Sequence, residues 1–317
     1  MEEKVTMNKM GTEPVNRLMV KMGVPMIISM VLQALYNVVD SYFVSNMKDT
    51  AEISGMGEYA VNALTLAFPV QMLMVSFHLD AIFHYGFNKD IDPSPRYIKP
   101  KRAIINEIYK VGLPAIIMQA LMSFMTYGVN IIFGAVSSAA VTAYGVYYKI
   151  QQFVFFAAFG MNNALIPIES YNYGKRDRKR VDEGIKYGMI YTLLIMAVGL
   201  LGLQIFADQL AGIFSVAPET QKLCVLAIRI VTIGYLFAGA NIAYQGIFQA
   251  LGCGIRSLIL SLLRLIVVAL PLAWLFTKFQ NASVLIWVSF PIAEGVALAV
   301  GILFMKQIAD KQLKGLK

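Results

Sequence analysis

Asp40, Lys149, Arg264 and Glu294 are charged side chains that stand deep inside long apolar runs. A charge at the centre of a bilayer costs at least about 2.5 kcal/mol on insertion scales, so each needs a partner, water or a function. Asp40 lies about 16 residues into a run that starts at Val24, hence about 24 Å across a hydrocarbon core of about 30 Å. Burial there makes its protonation sensitive to access from either side; the competing reading is an acid wetted from the outer surface. Lys149 falls near the middle of its run with Gln151 and Gln152 beside it. That set suits the wall of a polar cavity, or else a lysine paired to a backbone carbonyl or a neighbour. Tyr144, Tyr147, Tyr148 and Phe155 on the same run suit stacking on a flat organic substrate, or plain packing. Arg264 is about 12 Å from the inner end of its run and Glu294 about 15 Å from either face of the next, so opposite charges share a depth on consecutive helices. They are expected to form a structural ion pair.

Other chemistries find no residues. His78, Asp80 and His84 do not share one helical face, and no metal site is read from them. No phosphate-binding glycine loop, zinc motif, Ser/His/Asp set or ATPase signature is recognisable, so the chain does not read as an enzyme and any transport is secondary. Cys224 and Cys253 lie at opposite ends of one apolar run, too far apart for a bridge.

The elements that must position these residues follow from composition. The chain has 317 residues, 58% hydrophobic and 15% charged, with a mean hydropathy of +0.62. Ordinary soluble domains run at roughly 45–50% apolar and about 25% charged. A soluble enzyme of this length cannot hide that much apolar surface, and a disordered chain would lack it. The net charge of +8 does not indicate nucleic acid, because the basic residues sit between apolar runs. Eight such runs are long enough to cross a bilayer: 24–44, 60–77, 111–135, 139–168, 187–214, 224–251, 258–276 and 284–305. The first is too long for the apolar part of a cleavable signal. The fold expected is an all-α, polytopic helical bundle.

Basic residues set its orientation. With the N-terminus cytoplasmic, 21 of the 27 lysines and arginines fall in inner segments and four outside, while Lys149 and Arg264 lie within helices. Both termini are expected to face the cytoplasm of a cell membrane.

A repeat is visible as well. Lys21-Met22-Gly23-Val24-Pro25 returns as Lys110-Val111-Gly112-Leu113-Pro114, each preceded by a short amphipathic stretch and followed by an apolar run. Asn37 and Asp40 in the first copy are matched in depth by Asn130 in the second. Parallel repeats of this kind are common in transporters. The copies are unequal: two apolar runs and a polar linker follow the first, six runs follow the second.

Several spaced motifs now carry a resemblance. Val24-Pro25-Met26 with Tyr36-Asn37-Val38-Val39-Asp40 resembles the first helix of the multidrug and toxic compound extrusion (MATE) family. Ala60-Val61-Asn62-Ala63-Leu64 with Ala67-Phe68-Pro69-Val70-Gln71 is similar to its second. Asn162-Asn163-Ala164-Leu165-Ile166-Pro167, running into Tyr171-Asn172-Tyr173-Gly174-Lys175, resembles the end of its eighth. Gln249-Ala250-Leu251-Gly252-Cys253-Gly254, then Ser257, Arg264 and Pro271, resembles the junction of its tenth and eleventh, with Leu265 where many relatives have glutamine.

Family members have twelve helices in two lobes around a central cavity. The resemblance stops near Phe77 and resumes near Tyr85, which implies that helices three to six are missing. It divides the chain into a two-helix N-terminal lobe (1–85), a cytoplasmic linker (86–110) and a six-helix C-terminal lobe (111–317). It implies efflux of organic or cationic compounds by H+ or Na+ antiport, without a further cofactor, impaired by the missing helices. Asp40 and Asn37 would then belong to the cation-coupling site, and Lys149, Gln151, Gln152, Asn130 and Tyr148 to the substrate cavity. The alternatives are a non-transporting remnant or interaction protein of this fold, and a lipid-linked oligosaccharide flippase of the same superfamily. The partners implied are the bilayer and the substrate, with a homodimer through the uncovered faces left open.

Overall fold

A computed structural model of the chain describes residues 9–45, 101–214 and 216–316, and among them the regular elements are all helical. A 3-10 turn at Lys9–Gly11 leads into α1 (Val15–Ser45), and α2 (Arg102–Gly134), α3 (Ser138–Gly174) and α4 (Arg178–Ile205) are the other long helices of the first half. The short α5 (Ala207–Gly212) precedes α6 (Pro218–Val231), which a 3-10 turn joins to α7 (Tyr235–Ala250). Helix α8 (Gly254–Leu262) passes through a π-helical turn at Leu263–Val267 into α9 (Ala269–Phe276), and α10 (Ala282–Ile308) is followed by a second π turn.

Seven stretches among the described residues are long and apolar enough to span a membrane: Val15–Tyr36, Gly112–Gly134, Ser138–Gly174, Arg178–Ile205, Pro218–Ala250, Gly254–Phe276 and Ala282–Leu313. They correspond in order to seven of the eight apolar runs. The run at 60–77, like His78, Asp80 and His84, lies outside the described residues. The first two helices begin well before their apolar runs, at Val15 and Arg102, and continue through Pro25 and Pro114. Long spanning helices accept the missing hydrogen bond because local rearrangement satisfies the freed carbonyl.

Contacts group Met1–Ala34 with Tyr109–Lys317 and set Leu35–Ile108 apart, a division that cuts through α1 and α2. In the second unit the described residues are the C-terminal part of α1 and the start of α2. The first unit has two buried cores. One gathers the end of α2, the first half of α3, α6 and the start of α10; the other gathers Val15, Leu18 and Met19 of α1 with the end of α3, the start of α4, the end of α7 and the end of α10.

Glycines let these helices approach closely. A Cβ at Gly160 of α3 would stand 2.7 Å from the Cα of Ile27, so α1 lies backbone to backbone on α3. Ser137 caps α3 by accepting from the Ala140 N–H at 3.1 Å, and Asp177 caps α4 by accepting from Arg180 N–H at 3.1 Å. The turn between α7 and α8 needs Gly252, whose φ is +72°.

Candidate functional site

Helix α7 carries Asn241, Gln245 and Gln249 at spacings of four, which aligns their amides along one face. Opposite them stand Ser257 and Ser261 of α8, Arg264 of the π turn and Glu294 of α10. Gln249 Nε2 donates to Ser257 Oγ at 3.3 Å, and Gln245 Nε2 to Ser261 Oγ at 2.8 Å. Ser261 in turn donates to the Ser257 carbonyl at 3.1 Å. At the end of this ladder Arg264 donates to Glu294 Oε1 from Nε at 2.9 Å and from Nη2 at 2.6 Å. Asn241 Nδ2 donates to Glu294 Oε2 at 2.8 Å and to the Glu294 carbonyl at 2.9 Å. The guanidinium is thus spent on one carboxylate oxygen and the amide on the other.

The pair is nearly dry, with side-chain exposures of 5% for Arg264 and 15% for Glu294. Attraction between such charges repays their desolvation only when the remaining donors and acceptors are also satisfied; Asn241 answers the second oxygen of Glu294, while its own Oδ1 is buried without a partner. The π turn contributes the aim. One extra residue per turn closes the bond from Val268 N–H to the Leu263 carbonyl at 3.1 Å, and such bulges re-register a side chain without breaking the helix.

The other cavity candidates lie on two helices. Lys149, Gln151, Gln152 and Tyr148 of α3 are all half-buried, and Asn130 of α2 is exposed. Tyr144 and Tyr147 are core residues: Tyr144 stacks on Phe290 at 6.2 Å between ring centres, and Tyr147 stands edge-on to Trp287 at 6.2 Å. Phe155 stands edge-on to Tyr235 at 5.3 Å. Of the two readings for these rings, packing is the one the structure supports at Tyr144, Tyr147 and Phe155. Asp40 and Asn37 are on α1, in the second unit, and their side chains lie outside what is described. Cys224 and Cys253 are both free.

A third polar group sits where α3 turns into α4. Arg180 donates from Nε to Asn172 Oδ1 at 2.9 Å and from Nη2 to the carbonyls of Met10 and Glu13, each at 2.8 Å. One guanidinium thereby fastens the segment before α1 to the α3–α4 turn. Nearby, Glu169 of α3 is fully buried.

A model of the family described as MatE matches residues 114–275, from Pro114 in α2 almost to the end of α9. The chain belongs to the MatE family, the MATE transporters. The multidrug export protein MepA of Staphylococcus saprophyticus is 25% identical over 264 residues, covering 83% of this chain and 57% of that protein. MepA of Staphylococcus aureus is 22% identical over 259 residues, covering 80% and 56%. The chain therefore spans little more than half the length of the curated relatives it matches. A multidrug resistance MATE family transporter of the MOP superfamily, in an outward-facing conformation, superposes with a TM-score of 0.69 at 21% identity, over 81% of this chain and 56% of that one. A MOP superfamily transporter from Pyrococcus furiosus superposes at 0.70 with 20% identity, over 94% and 78%.

The matched MatE stretch contains Lys149, Glu169, Asn241 and Arg264, whereas Asp40 precedes it and Glu294 follows it. Sequence reading singled out Arg264 and Glu294 but not Asn241, Gln245 or Glu169. The four-residue spacing of the α7 amides was a usable signal. For Glu169 there was none, since it stands just past an apolar run where solvation is the ordinary expectation.

Proposed function

We propose that this MatE chain is built as a secondary efflux transporter that moves small organic or cationic compounds outward across the cell membrane, in exchange for H+ or Na+. Membership of the family across α2 to α9 is the observation that carries the reading. The multidrug export function of the MepA proteins supports the substrate class. In this reading both termini are cytoplasmic, Asp40 with Asn37 binds the coupling ion, and Lys149, Gln151, Gln152, Tyr148 and Asn130 line the substrate path. The C-terminal lobe is 111–317, and a two-helix lobe at 1–85 precedes it through the linker 86–110.

Two apolar runs against six leave too little of the first repeat to seal a central site from one side, which rocking between lobes requires. Coupled antiport by this chain alone is therefore impaired. The test is reconstitution of the purified 317-residue chain into vesicles with an imposed proton or sodium gradient. The expected result is no gradient-driven accumulation of a fluorescent cationic dye. Accumulation that collapses with the gradient and vanishes in Asp40→Asn would overturn the impairment and establish full antiport. Release of a lipid-linked oligosaccharide probe across the same vesicles would favour the flippase reading instead. Labelling of position 48 from outside and of the tail at Lys314 from inside checks the orientation.

A further inference from the structure

We propose that Glu169 is a proton-binding site of the lobe, separate from Asp40, holding its carboxyl as the neutral acid between α3 and α4. The Glu169 side chain has no exposed surface, and neither carboxyl oxygen has a hydrogen-bond partner. It fits only because position 184 on α4 is glycine: a Cβ there would collide with Oε2 and stand 2.9 Å from the carboxyl carbon. Leu165 and Ile168 on the same helix and Val181 on α4 belong to one fully buried apolar cluster.

Among the described residues no cation bonds to it. On its own helix Lys175 is turned over the Tyr171 ring, 5.3 Å from its centre. On α4, Arg180 is committed to Asn172 and to the Met10 and Glu13 carbonyls, and Arg178 is paired with Asp182 at 2.7 Å. On α1, Lys21 is paired with Glu13 of the preceding segment at 3.1 Å. Lys186 of α4 lies over the Tyr187 ring, 5.8 Å from its centre, helix α7 brings no charged residue, and α5 and α6 pack on the opposite half of α3. Arg256 at the start of α8 lies over the Phe304 ring at 5.9 Å, and its buried Nη1 meets no acceptor, Glu169 included.

An ionised carboxylate taken out of water without a partner costs more than the protein can return, so the group keeps its proton. Deprotonation then requires α3 and α4 to part enough for water to take the proton, leaving the carboxylate solvated. The two helices meet at the basic end of the lobe, where Arg180 fastens the segment before α1. Loss of this proton is thus tied to loosening of that end.

The experiment is infrared spectroscopy of the full chain in lipid, comparing wild type with Glu169→Gln. At neutral pH the wild type is expected to show a protonated-carboxyl band that the variant lacks. The difference should be insensitive to added NaCl at constant pH. Denaturation of both proteins as a function of pH gives the second reading. Relative to wild type, Glu169→Gln should gain stability steadily from acid to alkaline pH, because only the wild type must pay to keep a proton there. Absence of a Glu169-dependent acid band, its disappearance on adding NaCl, or a pH-independent stability difference would each overturn the proposal. None of these readouts depends on transport, so they stand apart from the vesicle experiment with Asp40→Asn.

Discussion

Phe133, Tyr144, Tyr147, Trp287 and Phe290 fill one core of the lobe with interlocking rings, Phe133 meeting Trp287 edge-on at 4.8 Å. Along α7, α8 and α10 the same lobe holds a ladder of amides, hydroxyls and one ion pair, nearly as well buried. The two regions obey different rules. Ring packing is non-directional, so its cost on mutation follows the volume removed. The ladder is directional, so removing one member strands its partner in a place water does not reach. A lobe of this family can therefore tolerate reshaping in its aromatic core more readily than unpairing in its polar seam.

The sharpest way to break that comparison is at the ion pair. Glu294→Ala should destabilise the lobe by about 3–5 kcal/mol, since it leaves Arg264 buried and unpaired. Replacing both partners, Arg264→Met with Glu294→Leu, should recover most of that loss. Denaturation of the purified chain in micelles measures both, and a double variant no better than either single one would refute the directional account. Next in size, Gly160→Ala should cost about 1–3 kcal/mol by pushing α1 off α3. Cross-linking between introduced cysteines on α1 and α3 would report the displacement. Ser137→Ala should remove about 1 kcal/mol through the lost cap of α3, read as faster amide exchange in its first turn. Smallest is Tyr147→Phe. Its hydroxyl meets Tyr235 at a long 3.4 Å, so less than about 1 kcal/mol should be lost. A larger loss would mean that the aromatic core, too, depends on directional bonds.

Much of the fold was legible because hydrocarbon allows few solutions. A run of about 20 apolar residues must satisfy its own backbone, and it does so as a helix. The amphipathic entries at Val15–Val20 and 104–109 were visible, but not that each fuses with the apolar run behind it. That depended on the packing of Leu18 and Met19 into the core beside α3 and α4. Depth placed Arg264 and Glu294 level with one another, and the structure sets them 2.6 Å apart. Lys149 and Gln152, three residues apart, share one face of α3 while Gln151 is turned away from Lys149, so adjacency in sequence did not translate into one surface.

By itself, then, the sequence determined the class of the protein, its spanning segments, the depth of its charges and its family, because these depend on composition, periodicity and spaced motifs. Only the tertiary structure decided which polar groups are answered. Asn241 completes the pair of Arg264 and Glu294 because the π turn rotates the guanidinium towards α7 and α10. Glu169 goes unanswered because a glycine on the neighbouring helix admits its carboxyl where neither oxygen meets a hydrogen-bond partner. Whether a buried charge is paired is a property of helices brought together in three dimensions, and no pattern along one chain records it.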